Sequence, residues 1–425
     1  MEIQVTKLRE IMELMKPVVP KKPTLKSVAS LFIGNGKAVA TDLDTMVIAG
    51  LPEAVEPMLL PYASIAEMLK YVPGNEILKI EEKTKKVVYL SWNGGSASYP
   101  TEDPKDFPIL PEMAVRAEGT IDGDILLPAM LAALPYTATD TTRPILNGIT
   151  LVLGNPIEVA AGDGFRMCHQ VLGLSFPLEE KAIVPAHGVA ILQHVFAKTP
   201  RTPPSTADSL IKVITAKRQL HMALIGENKL RLDFGPSASV VINLIAGNPP
   251  EWLKLIPKGE PILQSQLFAQ QFEAAVKRVR GIARDGSGIV RLEFADGKLK
   301  VSARGDDQEI SATLDTLNTQ GAPGRTALNQ KYLLDYLSGK QGIVIFSQYN
   351  TTGPVVFQYQ NSPRVLIMPM SVQWDDEKPP AVEKAEPEAE TTEETAEVEA
   401  EDESETSAED QAAEHETGEE EPVTE

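Results

Sequence analysis

The sequence repeats one arrangement of tight turns and apolar runs three times, and this repeat limits the possible folds more than any other feature. Apolar runs flank a turn at Asn35–Gly36, others flank Asp296–Gly297, and Gly154–Pro156 occupies the corresponding place between them. Asn-Gly and Asp-Gly are typical of two-residue β-hairpins, because both central residues adopt positive φ. The spacing of about 120 and about 140 residues predicts three similar units.

Helix-like patterns lie on both sides of each turn. Before the turns, apolar residues recur at helical spacing at Val5, Leu8, Ile11, Met12 and Met15, from Pro128 to Leu134, and at Phe268, Phe272, Ala275, Val276 and Val279. Shorter amphipathic stretches follow the turns and begin at Ser64, His187 and Gln330. Strand-like runs come after each stretch, such as LIKVITA and LRLDFG after the second. Two helices and a mostly antiparallel sheet in each unit predict an α+β fold.

The composition changes sharply after Trp374. Residues 375–425 contain 23 acidic residues and two lysines, so this segment alone carries −21, against −20 for the whole chain. It contains no Leu, Ile, Met, Phe, Tyr or Trp, and such a segment cannot bury enough apolar surface to offset its chain entropy. We therefore expect three α+β subdomains at 1–117, 118–256 and 257–374, followed by a disordered acidic tail at 375–425.

Several classes of protein are excluded by the composition. The single cysteine, Cys168, excludes an intramolecular disulfide framework, a cysteine-based zinc finger and an iron–sulfur cluster. No apolar run reaches the length of about 18 residues that is needed to span a membrane. The amphipathic N-terminus lacks the apolar centre and cleavage site of a signal peptide. We expect a cytoplasmic protein without membrane contact, metal or cofactor.

Candidate catalytic groups have simpler structural explanations. Neighbouring strand residues such as Cys168 and His169 point to opposite faces, so they do not form a nucleophile and base. His187 and His194 are seven residues apart, whereas helical metal ligands are three or four apart. Asp42 and Asp44 fit a solvated strand end. The run GNGKAVAT lacks the first glycine and the Ser or Thr of a phosphate-binding loop.

Basic residues are better organised, because they recur at equivalent places in the three units. They are Lys7, Lys21 and Lys22 around the first helix of unit one, Arg143, Lys198 and Arg201 after the helices of unit two, and Lys277, Arg280 and Arg284 on the first helix of unit three. This recurrence predicts one continuous surface that faces phosphates. Residues 1–374 carry a net charge near +1, so the acidic residues must lie on another surface.

Five segments in order along the chain carry a family resemblance. They are DFPILP at 106–111, RPILNGI at 143–149, AAGDGFRM at 160–167, LNQKYLLDYL at 328–337 and VLIMPMSVQW at 365–374. Together they resemble the bacterial sliding clamp, the beta subunit of DNA polymerase III. The resemblance extends over residues 1–374, and the acidic tail has no counterpart in it.

The resemblance implies a ring-forming clamp architecture and a non-catalytic function. Two chains of three subdomains would form a homodimeric ring around duplex DNA, and basic helices would contact its phosphates without reading the sequence. The ring would tether the catalytic subunit of the replicative polymerase and raise its concentration at the primer end. The implied partners are double-stranded DNA, a second copy of the chain, the polymerase, the clamp loader and other proteins with a clamp-binding motif.

The resemblance also implies a peptide pocket between the second and third subdomains. The matching positions are Leu146, Gly162, Gly164, Phe165, Arg166, Met167, Pro250, Lys254, Leu255, Asn329, Tyr332, Leu366, Ile367, Met368, Pro369 and Met370. They describe an apolar trough with a few polar groups at its edge, as peptide grooves have. The chain departs from the family pattern at Gly162, Lys22, Lys254 and Ser371, where the family commonly has Thr, Arg, Arg and Arg.

Two other functions remain open on the sequence alone. One is a repeat scaffold that binds proteins without encircling DNA. The other is an enzyme, such as a hydrolase that uses Asp163 and His169, although no catalytic motif supports it.

Overall fold

A computed structural model describes residues 1–374 except 52, 85, 110–112, 141, 200–217, 236–237 and 361. The predicted tail at 375–425, the basic residue Arg201 and the predicted strand LIKVITA lie outside the described residues. Seven helices lie within them: α1 Val5–Met15, α2 Tyr62–Leu69, α3 Gly123–Ala133, α4 Ala186–Lys198, α5 Trp252–Leu255, α6 Ala269–Asp285 and α7 Gln330–Leu337. None of these seven is both long and apolar enough to cross a membrane.

The strands are antiparallel throughout and form four sheets in the described part of the chain. Strands of the first two units are β1 Glu2–Gln4, β2 Ser30–Gly34, β3 Lys37–Thr41, β4 Thr45–Gly50, β5 Met58–Pro61, β6 Ile77–Thr84, β7 Val87–Trp92, β8 Gly95–Pro100, β9 Val115–Asp122, β10 Gly148–Val152, β11 Glu158–Gly162, β12 Arg166–Val171, β13 Lys181–Pro185, β14 Gln219–Ile225, β15 Lys229–Asp233 and β16 Ala238–Asn243. The remaining strands are β17 Leu263–Phe268, β18 Ile289–Ala295, β19 Lys298–Arg304, β20 Glu309–Asp315, β21 Asn318–Gly321, β22 Gly324–Asn329, β23 Ile343–Gln348, β24 Val355–Gln358 and β25 Arg364–Ile367.

The element order βαββββαβββ occurs three times, with β21 as an extra strand in the third repeat and α5 between the second and third. Two small sheets, β1-β6-β7-β8 and β20-β19-β18-β22, lie within the first and third repeats. Two larger sheets cross from one repeat to the next, in the orders β5-β2-β3-β4-β16-β15-β14-β9 and β13-β10-β11-β12-β25-β24-β23-β17-β21. Residues Met1–Val372 consequently form a single compact unit, so the subdomain boundaries stay predictions.

The predicted helical faces form the core. All five apolar residues predicted on α1 are buried, and α6 buries Phe272, Ala275, Val276 and Val279. Phe268 differs, because it ends β17 on the solvent side of that strand and is 41% exposed. Helix α3 begins at Gly123 rather than near Pro128, since the Asp122 carboxylate accepts a hydrogen bond from the Asp124 N–H and caps an earlier turn.

The two predicted two-residue hairpins are confirmed. Asn35 and Gly36 have φ of 52° and 72°, and Asp296 and Gly297 have 51° and 70°, as such turns require. The third turn is longer, because β10 and β11 separate after the Val152–Glu158 pair. In the second unit, the predicted strand LRLDFG lies largely in β15.

Candidate functional site

The pairing of β12 with β25 brings the end of the folded chain beside the second repeat. Arg166 is opposite Ile367, Met167 opposite Leu366, and Cys168 opposite Val365. Because strand residues alternate between faces, Met167 and Leu366 lie on the face away from the main core. The predicted pocket residues of β12 and β25 are therefore neighbours in space.

A tight turn precedes β12 and presents Phe165 to solvent. The Asp163 carboxylate accepts hydrogen bonds from the backbone N–H groups of Phe165 and Arg166, both at 2.9 Å. Gly164 has φ of 95°, a backbone conformation that favours glycine, and the Arg143 guanidinium lies beside it. Phe165 is 55% exposed, which is unusual for an aromatic side chain fixed in place by its backbone.

Arg166 is a buried cation that joins the second and third repeats. Its Nε lies 3.1 Å from the Asp163 carboxylate, and its Nη1 lies 2.9 Å from the carboxylate of Asp335 on α7. Its Nη2 donates to the Pro135 carbonyl at 2.8 Å. A buried charge is tolerated when its hydrogen-bonding groups find partners in this way. The guanidinium therefore fixes α7 against the turn before β12.

Aromatic rings complete the same contact. The Arg166 guanidinium carbon lies 4.4 Å from the centre of the Tyr332 ring and 5.3 Å from that of Tyr136. Phe165 stacks on Tyr332 with ring centres 6.5 Å apart. Burial raises the pKa of the Tyr332 hydroxyl, so this hydroxyl is neutral at physiological pH. Phe165 and Tyr332 thus form one apolar wall from two different repeats.

A groove of about 620 Å³ runs along this wall. Its lining residues are Leu134, Pro135, Thr137, Ala138, Thr139, Asp140, Arg143, Asp163, Phe165, Arg166, Lys331, Tyr332, Asp335 and Ser338. Arg143, which the sequence placed in the DNA-facing set, lies here instead of with the helical lysines. Its Nη2 donates to the Asp163 carbonyl at 3.2 Å, and it also lies 3.6 Å from the Asp140 carboxylate. We name this cavity the Phe165–Tyr332 groove.

An apolar cluster forms beside this groove from other predicted pocket residues. Leu146, Met167 and Leu366 are buried together with Trp252 of α5. A Cβ on Gly162 would lie 2.7 Å from the Trp252 ring, so the Trp252 ring occupies the space that a Thr side chain would need. Glycine at position 162 therefore leaves room for the Trp252 ring.

The segment after β25 is held by backbone hydrogen bonds to both repeats. The Met368 N–H donates to the Phe165 carbonyl, and the Met370 N–H donates to the Ala327 carbonyl, each at 2.8 Å. Met368 and Met370 are 43% and 37% exposed, whereas Ile367 is fully buried. Two flexible apolar side chains are thus held at the surface, Met368 beside Phe165 and Met370 beside Ala327, and such side chains suit variable partner sequences.

The remaining predicted pocket residues lie around this centre. Asn329 caps α7, since its side-chain oxygen accepts from the Lys331 N–H at 2.9 Å. Pro250 precedes α5, and Leu255 ends it with 52% exposure. Lys254 forms an ion pair with Glu251 and lines a different groove, on the outer face of the nine-stranded sheet. Lys254 is therefore apart from the Phe165–Tyr332 groove.

The junction between the first and second repeats has the same backbone geometry. There Asp42 accepts from the N–H groups of the residues two and three positions later, at 3.0 and 2.7 Å, as Asp163 does. Leu43 has φ of 84°, close to that of Gly164. The Asn243 N–H donates to the carbonyl of Asp44 at 2.8 Å, the counterpart of the Met368 bond.

The side chains at the two junctions differ. Phe165, Arg166 and Met368 are replaced at the first junction by Asp44, Thr45 and Asn243. The Asn243 side chain donates to the Leu43 carbonyl at 3.0 Å and also contacts Lys229. Polar groups that bond to one another there replace the apolar side chains that the second junction exposes.

Apart from Arg143, the predicted DNA-facing residues that the structure describes are exposed and lie on or beside three helices. Lys7 is on α1, Lys198 ends α4, Lys277, Arg280 and Arg284 are on α6, and Lys21 and Lys22 follow α1. Several have acidic neighbours, such as Lys277 with Glu273 at 2.9 Å and Lys198 with Glu13 at 3.9 Å. Exposed pairs of this kind contribute little to stability, so the cations remain accessible to phosphates.

The candidate catalytic groups are engaged elsewhere. Burial raises the pKa of the Cys168 thiol to about 12, so it is not a nucleophile at neutral pH. His169 is bound to the Glu158 carboxylate at 2.7 Å, and His187 to the Asp42 carboxylate at 2.6 Å. Among the described residues, no group of three or more His, Cys, Asp or Glu side chains is placed to hold a metal ion.

Three residues that complete the site were not identified from the sequence. Tyr136, Trp252 and Asp335 contact Gly162 or Arg166 from distant parts of the chain. Asp335 and Tyr332 are three residues apart on α7, which places them on one face of the helix. This three-residue spacing is the one short-range sequence signal for the contact between Arg166 and Asp335, which are 169 residues apart.

Comparisons with known proteins show which proteins the chain is similar to. Residues 254–371 match the family described as DNA polymerase III beta subunit, C-terminal domain. The beta sliding clamp of Pseudomonas putida is 22% identical over 384 residues, which cover 87% of this chain and 98% of that protein. A beta sliding clamp homologue of Streptomyces muensis, GriR, is 24% identical over 80% of this chain and 92% of its own length.

The fold is also that of solved clamp structures. The DNA polymerase III beta subunit of Pseudomonas aeruginosa superposes with a TM-score of 0.76 at 21% identity, covering 87% of this chain and 99% of that one. The predicted α+β fold and the resemblance to the bacterial sliding clamp are therefore confirmed.

The buried Arg166 contact predicts a large difference between two neighbouring arginines. Arg166→Met leaves the carboxylates of Asp163 and Asp335 without their shared cation, and we expect the free energy of unfolding to fall by about 3 kcal/mol. Arg143→Met, in the same groove but half-exposed, should cost less than about 1 kcal/mol. Urea unfolding followed by circular dichroism measures both. Equal losses in the two variants would contradict the structural role given to Arg166.

Proposed function

We propose that this chain is a processivity factor. Its fold is that of the bacterial sliding clamps, and its residues 254–371 match the DNA polymerase III beta-subunit family. Two copies form a ring around duplex DNA, slide along it and tether the replicative polymerase. The observation that carries the proposal is the threefold βαββββαβββ order, since two chains then supply six similar units to one ring. Sliding clamps are non-catalytic, in keeping with the engaged state of Cys168 and His169.

The edges of the two small sheets support dimer formation. Strand β8 ends one four-stranded sheet and β20 ends the other, and neither pairs further within the described chain. Exposed strand edges are templates for pairing with another chain. Because β8 is in the first repeat and β20 in the third, their pairing is head to tail, and two such contacts close a ring.

Basic side chains on helices support contact with DNA. Lys7, Lys198, Lys277, Arg280 and Arg284 are exposed on α1, α4 and α6, one helix from each repeat. Long flexible cations bind phosphates without reading bases, which allows movement along the duplex. We reassign Arg143 to the peptide pocket, because it lines the Phe165–Tyr332 groove.

The peptide pocket is placed where the second and third repeats meet. Phe165, Met368 and Met370 supply exposed apolar surface, half-buried Tyr332 supplies a ring beside Phe165, and Arg143 supplies a polar edge. Peptide grooves combine apolar anchors with few polar groups in this way. The clamp loader, the polymerase and other clamp-binding proteins are the partners expected there.

Assembly is tested by sedimentation. At micromolar concentration we expect the mass of two chains, since two chains pair each β8 edge with a β20 edge of the partner and leave neither of these edges unpaired. A monomer would contradict the ring. A trimer would also contradict the proposed ring, because three chains of three repeats supply nine units instead of six.

The pocket is tested by shortening its exposed methionines. Replacing Met368 and Met370 with Ala should weaken binding of a fluorescent clamp-binding peptide by about thirtyfold, since a truncated anchor costs about 2 kcal/mol or more. Fluorescence anisotropy measures the affinity, and sedimentation should still give a dimer. Point changes are preferable to truncation after Pro363, which removes β25 from the middle of its sheet. Unchanged peptide affinity would disprove the pocket.

A further inference from the structure

A second groove, of about 1010 Å³, lies on the outer face of the nine-stranded sheet. The segment after α5 forms one side, and strands β12, β23, β24 and β25 form the floor. Its lining residues are His169, Gln170, Val171, Leu253, Lys254, Ile256, Pro257, Lys258, Ile345, Gln358, Gln360, Ser362 and Arg364. We name it the outer-sheet groove. Apart from Lys254, none of its residues belongs to the predicted pocket.

The groove has an exposed apolar surface. Val171 and Leu253 are each 55% exposed, and Ile256, Pro257 and Ile345 are half-buried beside them. A contiguous apolar patch with a polar rim marks an interaction surface more often than isolated apolar residues do. The apolar part favours a protein partner over a nucleic acid, and none of the lining residues is a Phe, Tyr or Trp on which a base could stack.

The rim of the groove is cationic. Lys254, Lys258 and Arg364 are exposed, and none of the described residues that line the groove is acidic. The nearby Glu158 carboxylate is bound to His169 at 2.7 Å, and Glu251 is paired with Lys254. Lys258 and Arg364 therefore give the groove a positive charge. Charge complementarity favours an acidic partner segment.

Amide side chains complete the recognition chemistry. Gln358 and Gln360 line the groove, and their amides carry donors and acceptors that suit a peptide backbone. The Gln358 amide, oriented with its oxygen toward Arg364, accepts from Nε at 3.0 Å and from Nη2 at 3.2 Å. This contact holds the Arg364 guanidinium over the sheet, opposite His169.

We propose that the outer-sheet groove binds an extended peptide segment of a partner protein that is both acidic and apolar. Alternating side chains of an extended segment place apolar residues on Val171, Leu253 and Ile345 and acidic residues toward Lys258 and Arg364. The site goes beyond the proposed peptide pocket, because it needs neither Phe165 nor the methionines after β25.

Fluorescence anisotropy on the full chain tests the proposal with a labelled peptide of about twelve residues in which Leu and Val alternate with Glu. The same peptide with Lys for Glu, and a single-stranded oligonucleotide of similar length, are the comparison probes. We expect the acidic peptide alone to bind, and the variant Lys258→Glu/Arg364→Glu to weaken it about tenfold or more. That variant should also gain affinity for the Lys peptide, which a misfolded protein would not do.

Two control variants separate this site from general charge and from the pocket. Lys37→Glu/Lys105→Glu makes the same change in net charge at exposed positions away from the groove and should leave binding of the acidic peptide unchanged. Met368→Ala/Met370→Ala should also leave it unchanged. Equal binding by wild type and the Lys258→Glu/Arg364→Glu variant, preference for the oligonucleotide, or absence of binding would overturn the proposal without affecting the pocket.

Discussion

The antiparallel pairing of β12 with β25 is the contact on which the proposed site depends. It inserts the last strand between β12 and β24, so that the second and third repeats share one nine-stranded sheet. A slip by one residue would turn Val365 and Ile367 out of the core and expose the other face. Burial of these two side chains therefore fixes the register, and the register fixes Met368 beside Phe165.

The same backbone frame occurs at both junctions, but the positions of Phe165 and Met368 are polar at the first one. The Asp42 and Asp163 carboxylates stabilise equivalent turns. In each turn, a backbone carbonyl accepts a hydrogen bond from an N–H at the end of the paired strand. Polar Asp44 and Asn243 stand at the first junction where Phe165 and Met368 stand at the second. The repeated fold thus builds two sites with one geometry, and side-chain chemistry makes one of them suited to a peptide.

Local chemistry explains which features could be predicted from the sequence. The hairpins at Asn35–Gly36 and Asp296–Gly297 and the buried face of α1 depend on neighbouring residues, and they were predicted correctly. The helical pattern puts Phe268 on a buried helix face, which is wrong. Phe268 ends β17, and the alternation of side chains along that strand turns it toward solvent. The partners of Arg166 were missed, since Asp335 lies 169 residues away and no short-range pattern encodes that contact.

In the proposed ring, topology holds the chain on DNA and the basic helices add only weak contacts. Retention on DNA therefore distinguishes a closed ring from an ordinary DNA-binding protein. After loading onto nicked circular DNA, the protein should stay bound during gel filtration at a salt concentration that screens exposed charges, and it should be released when the circle is cut once. Equal retention on circular and linear DNA, or loss from both, would contradict the account.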